Sequence, residues 1–122
     1  MKKVCILTAN RAEYGLLKPI IKNFDNRKDV DLKIVVTGAH LSPEFGLTYK
    51  EIINDGIKID KKIEILVSAD TPSAISKSMG LAMIGFADYF DESLPDLLVV
   101  LGDRYETLAV ATTAMNQRIP IA

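Results

Sequence analysis

With 122 residues, 48% of them apolar and 25% charged, the chain has length and apolar surface for one folded domain and not for two. Fifteen basic residues against sixteen acidic ones leave a net charge of −1, which argues against the basic footprint of a nucleic-acid binder and the basic stripe of a membrane-surface helix. No apolar run approaches the ~20 residues of a bilayer span, and the opening Met1-Lys2-Lys3-Val4-Cys5-Ile6-Leu7 imitates a signal peptide only until Asn10, Arg11 and Glu13 interrupt it.

In chain order, the predicted elements alternate. Val4–Ala9 is the first of five apolar, β-branched runs. A helical pattern follows from Glu13 to about Phe24, with Leu16, Leu17, Ile20, Ile21 and Phe24 on one face. Pro19 inside it implies either a start near Leu16, with the proline in the first turn, or a kink. Leu32–Thr37 is the second strand. A second helix is predicted over Phe45–Asn54, stopped by Asp55-Gly56. Ile63–Val67 is the third and weakest strand, flanked by charge and suited to a place near the sheet edge. Asp70 or Thr71 as cap, with Pro72 behind it, starts a third helix of about 20 residues reaching Phe90. Its Gly80 and Gly85 read as positions of close packing. Leu97–Leu101 is the fourth strand, Tyr105–Gln117 the fourth helix, and Ile119–Ala122 the fifth strand.

Most of these strands are continuously apolar, as in a parallel sheet covered on both faces. The expectation is one domain over 1–122, α/β, with a Rossmann-like three-layer α/β/α arrangement around a five-stranded parallel sheet. The sequence stops inside the last run, before the loop that would complete the ligand-binding edge, so the chain is expected to be a piece of a longer one. The single cysteine, Cys5, cannot form an internal disulfide, in keeping with a reducing, cytoplasmic compartment, and a buried thiol is its simplest role.

Three polar segments follow predicted strands one, two and four, and in a parallel sheet those ends share one edge. The first, Thr8-Ala9-Asn10-Arg11-Ala12-Glu13-Tyr14-Gly15, opens a helix whose positive end faces that edge. Arg11 there can pair with phosphate through two parallel hydrogen bonds; alternatively it is solvated and Glu13 merely favours the helix start. No Gly-x-Gly-x-x-Gly or Walker A pattern is present, which disfavours nicotinamide and P-loop readings. The second, Leu101-Gly102-Asp103-Arg104-Tyr105-Glu106, puts Asp103 where acid–base or ligand-orienting work is done, unless it simply caps the next helix. Arg104 is a second cation for an anionic group. The third, Thr37-Gly38-Ala39-His40-Leu41-Ser42-Pro43-Glu44-Phe45-Gly46, holds the only histidine, His40, a base only if a partner lies beside it. No His/Cys spacing suggests zinc.

These segments resemble the UDP-N-acetylglucosamine 2-epimerases, across the whole chain and in order. Arg11-Ala12-Glu13-Tyr14-Gly15-Leu16-Leu17-Lys18-Pro19, Thr37-Gly38-Ala39-His40-Leu41-Ser42 and Leu101-Gly102-Asp103-Arg104-Tyr105-Glu106-Thr107-Leu108-Ala109 carry the likeness. The arginine-acidic-tyrosine and Gly-Asp-Arg forms are similar to the hydrolysing branch, which makes N-acetylmannosamine for sialic acid synthesis, rather than to the non-hydrolysing branch with Arg-Pro-Glu and Gly-Asp-Thr. The resemblance implies the front of the N-terminal domain of a glycosyltransferase-B type architecture, the UDP-binding second domain lying outside this sequence. It implies a UDP-sugar substrate, elimination of UDP with loss of the C2 proton, then hydration of the glycal with C2 protonated on its other face. Arg11 and Arg104 would face the diphosphate and Asp103 the sugar; Glu13, Tyr14 and His40 would stand in the substrate-binding shell. Neither metal nor nicotinamide is implied. The expected partners are the UDP-sugar and, for the full-length protein, further copies of the chain, with no nucleic acid and no membrane. The isolated segment is expected to be inactive.

Other readings stay open at this point. The substrate could be another UDP-2-acetamido sugar, such as a diacetamido-trideoxy sugar used for nonulosonic acids. A glycosyltransferase of the same architecture would share the fold, though the Gly-Asp-Arg segment favours the epimerase. A flavodoxin-like or receiver-like binding module is the alternative from another class. A receiver would want acidic residues after strand one and an aspartate ending strand three, where this chain has Thr8-Ala9-Asn10-Arg11 and Leu66-Val67-Ser68.

Overall fold

The structure, a computed structural model, describes residues 1–66, 71–102 and 104–122. Its order is β1 (Lys2–Thr8), α1 (Arg11–Asp25), β2 (Val30–Thr37), two 3₁₀ turns (Gly38–Leu41 and Pro43–Phe45), α2 (Tyr49–Asn54), β3 (Lys61–Ile63), α3 (Pro72–Ser93), β4 (Leu97–Val99) and α4 (Tyr105–Asn116). The strands form one sheet in the order β3-β2-β1-β4, and each neighbouring pair is parallel. None of the helices described is long and apolar enough to cross a membrane.

Successive strand residues point to opposite faces, and this splits the core in two. Val4, Ile6, Ile34 and Val36 pack against Tyr14, Leu17 and Ile21 of α1 and Ile52 of α2. Cys5, Leu7, Val35 and Leu98 pack on the other face against Phe86 and Phe90 of α3 and Ala109, Val110 and Ala114 of α4. The expected α/β/α layering is therefore present. The chain runs outward from β1 to β3, then returns past β1 to β4. That reversal between β1 and β4 is the topological switch point at which doubly wound sheets bind ligands.

Four of the strand and helix expectations need correction. Among the described residues the sheet has four strands rather than five. Pro120–Ala122 does run parallel beside β4, with Leu98 N donating to Pro120 O (2.8 Å) and Ala122 N to Leu98 O (2.8 Å), but only one bridge, Leu98 to Ile121, results. The third ladder covers Lys61–Ile63 instead of Ile63–Val67. Its last pair is Thr37 with Ile63, and β2 then turns into 3₁₀ at Gly38, so Glu64–Leu66 continue no ladder; Val67 lies outside the described residues. It does sit at the sheet edge. The first helix starts at Arg11, because Asn10 caps it, its side-chain oxygen accepting from Glu13 N at 2.9 Å. Pro19 thus lies mid-helix, and Leu16 (69% exposed) and Ile20 (42%) face outward. The second helix begins at Tyr49, since Gly46 (φ +79°) breaks the run after Phe45.

The third helix starts where its proline-led signal placed it. Thr71 Oγ1 accepts from Ala74 N at 3.1 Å; Asp70, the other candidate cap, lies outside the described residues. Gly85 is a close-packing position, since a Cβ there would come within 2.7 Å of Ile63 Cγ2; Gly80 has open space. Cys5 is buried and unpaired, and burial pushes its thiol up to about 12.

Candidate active site

A solvent-open cavity of about 1270 Å³ lies over the carboxyl ends of the strands. Residues after β1 (Asn10, Arg11), after β2 (Gly38, Leu41) and around the start of α4 (Arg104, Glu106) all line it. The three polar segments do converge at one edge of the sheet.

Arg11 is 74% exposed in its side chain and, among the described residues, pairs its Nε with Glu51 Oε2 at 3.1 Å. Such a pair is worth little in water, so the guanidinium can turn to an incoming anion at small cost. Arg104 is about half exposed and its Nε lies 3.4 Å from Glu106 Oε2. α1 and α4 both begin at this edge, adding their positive ends to the two cations.

Glu13 is buried beneath them. Its Oε1 accepts from Ala9 N at 3.2 Å, and a Cβ built on Gly102 would fall 2.9 Å from its Oε2. The carboxyl therefore caps the end of β1 and lies close against Gly102, three residues beyond β4, where glycine (φ +101°) is the residue type that fits. Burial raises the Glu13 pKa above the usual carboxylate range and the nearby Glu106 adds to this, against the lowering effects of the Ala9 and Asn10 bonds and the Arg104 charge. Glu106 is 1% exposed. Its Oε1 would lie 3.4 Å from a Cβ on Gly38, a position that also faces Ala9 O and holds φ +60°. Sequence reasoning passed over Glu106 except as a member of its segment. The signal was its register: 106, 109, 110 and 113 form the buried stripe of α4, and a carboxylate on such a stripe is unusual.

Two other expected residues lie differently. The Tyr14 hydroxyl donates to Asp55 Oδ2 at 2.6 Å, and Lys18 pairs with the same oxygen at 3.2 Å. Burial, then that carboxylate, raises the phenol pKa. His40 is fully buried, with Nε2 2.9 Å from Thr8 Oγ1 and Nδ1 2.8 Å from Thr48 Oγ1, and its backbone N donates to Ala9 O at 3.2 Å. Its ring stands edge-on to Tyr14, 6.3 Å between centroids. Neither side chain lines the cavity. His40 fastens the loop after β2 to β1 and to the start of α2, and Tyr14 ties α1 to the end of α2. Asp103 lies outside the described residues.

Burial lowers the His40 pKa to about 4 from 6.5, against the raising effect of a backbone bond at Asn10. An unfolded chain would bind this proton near 6.5 and the folded one only near 4. Its contribution to stability is therefore complete above pH 6.5 and lost as pH falls from 6.5 to about 4, by at most roughly 3 kcal/mol. Thermal unfolding should show a steeper fall in midpoint across that window for the wild type than for His40→Gln; equal slopes would contradict this.

Residues 22–122 match the family model described as UDP-N-acetylglucosamine 2-epimerase. The chain belongs to this family. It is 50% identical over 120 residues to a Campylobacter jejuni protein named GDP/UDP-N,N'-diacetylbacillosamine 2-epimerase (hydrolyzing), covering 98% of this chain and 31% of that protein. It is 36% identical to the Legionella pneumophila UDP-N,N'-diacetylbacillosamine 2-epimerase (hydrolyzing), covering 99% of this chain and 32% of that one. The chain thus spans about a third of the length of the curated relatives it matches. Its fold superimposes on the Neisseria meningitidis UDP-GlcNAc 2-epimerase, solved with UDP-GlcNAc bound, with a TM-score of 0.81 at 21% identity over 99% of this chain and 31% of that one.

Proposed function

We propose that this chain forms one wall of the active site of a cytoplasmic, hydrolysing 2-epimerase acting on a UDP-2-acetamido sugar. The observation that carries the reading is the meeting of Arg11, Arg104 and the buried Glu106 in one switch-point cavity, with a second buried carboxylate, Glu13, close after Arg11 in the chain and accepting from Ala9 N, in a chain of this family. The reaction needs cations at a departing diphosphate and carboxylates near C1 and C2 of the sugar. In the first half, the C1–O bond breaks, its electron pair leaves with UDP, the C2 proton passes to a protein base and a C1–C2 double bond forms. In the second, water adds its hydroxyl to C1 and a proton returns to C2 on the opposite face. Arg11 and Arg104 take the diphosphate, Asp103 the sugar. Glu13 and Glu106 hold the surrounding backbone and Arg104, and the uridine falls to a second domain of the full-length protein.

The substrate we favour carries acetamido groups at C2 and C4 and a methyl at C6, as in UDP-N,N'-diacetylbacillosamine. The support is the 50% identity to a relative of that name over nearly the whole chain. UDP-N-acetylglucosamine is the second reading, from the family description. Incubating the full-length protein with each compound tests both. The account expects UDP together with a free, C2-inverted sugar. A product that keeps its UDP, or no turnover of either compound, would contradict it.

A further inference from the structure

The cavity is divided by the strand order. Its two arginines, Arg11 and Arg104, and the buried Glu106 come from the β1 and β4 side, while a fourth charged residue, Glu64, follows β3. Its large apolar groups come from the β2 and β3 side: Leu41, Phe45 and Leu47 from the segment after β2, Leu66 beyond β3, and Ile75 from the first turn of α3. Phe45 is 58% exposed and Leu66 36% exposed. Aromatic and branched side chains left open to water inside a polar-ended cavity mark a surface shaped for an apolar ligand part.

We propose that this apolar wall is the subsite for the sugar edge remote from C1, and that it selects a 4-acetamido-6-deoxy sugar over one with hydroxyls at C4 and C6. The proposal rests on the epimerase reading above. In a pyranose, C4 lies across the ring from C1, and the C6 group projects from that same half. With the C1 diphosphate over Arg11 and Arg104, the far edge reaches toward the β2 and β3 side. A 6-methyl and the methyl of a 4-acetamido group would then lie on Phe45, Leu66 and Ile75. Two hydroxyls there would gain no apolar contact with those three side chains.

The test compares kcat/KM of the full-length enzyme on UDP-N,N'-diacetylbacillosamine and on UDP-N-acetylglucosamine. Wild type should prefer the first. Phe45→Ser should lower the ratio of the two values about tenfold, as expected for losing contact with one or two methyl groups, while Phe45→Leu should retain most of it. Because Phe45 is more than half exposed, the variant should keep its thermal midpoint. Equal losses on both substrates, an unchanged ratio, or a wild type that prefers UDP-N-acetylglucosamine would overturn the subsite and leave the epimerase reading standing. A wild type that releases UDP from neither would overturn both.

Discussion

Asp103→Asn in the full-length protein should reduce kcat by roughly 10²- to 10⁴-fold, the range for losing a group that moves a proton at the reacting carbon. UDP affinity should change by much less, because the substitution keeps the volume and the neighbouring cations. The reasoning comes from chemistry and position. The C2 proton must be removed from one face and replaced on the other, which demands carboxylates at the sugar. Of the acidic groups near the switch point, Glu13 is engaged by Ala9 N and Glu106 lies beside Arg104. In the sequence, Asp103 directly follows Gly102 and precedes Arg104. Steady-state UDP release and calorimetric UDP titration separate the two effects. Unimpaired turnover would remove Asp103 from the chemistry.

Arg104→Ala should weaken UDP binding by roughly 10- to 100-fold, corresponding to about 1.5–3 kcal/mol for charge-assisted hydrogen bonds to an anion. Its guanidinium is half exposed at the cavity and its one described ion pair, to Glu106, is long at 3.4 Å. The variant also leaves the buried Glu106 without that cation, so part of the loss will reflect rearrangement beneath the site. Arg104→Lys should recover only part of the affinity, because an ammonium cannot reproduce the planar two-donor geometry. A titration giving wild-type affinity for Arg104→Ala would place the diphosphate elsewhere.

The layered fold was legible because the strands are continuous apolar runs and the Thr71-Pro72 start signal acts locally. What the sequence concealed was set by partners distant in the chain. Leu16 and Ile20 fit an apolar helix face as well as Leu17 and Ile21 do, but the sheet lies only against the latter pair. Ile65 is fully buried although it continues no ladder, because β2 has already turned away at Gly38. In the candidate site, the convergence of Arg11 and Arg104 followed from strand-end logic. His40 shared that logic, yet Thr8 and Thr48 enclose both its ring nitrogens and turn a candidate base into a fastening. Glu106 was hidden in the opposite way. Named only as a member of its segment, it sits on the buried stripe of α4.

The central claim is that this cavity serves elimination and rehydration at C1 and C2. The direct measurement is proton NMR of the full-length enzyme turning over its UDP-2-acetamido sugar in D₂O. The account predicts free sugar, inverted at C2 and carrying one deuterium there, released together with UDP. A free sugar that keeps both its original C2 configuration and its C2 proton would contradict it.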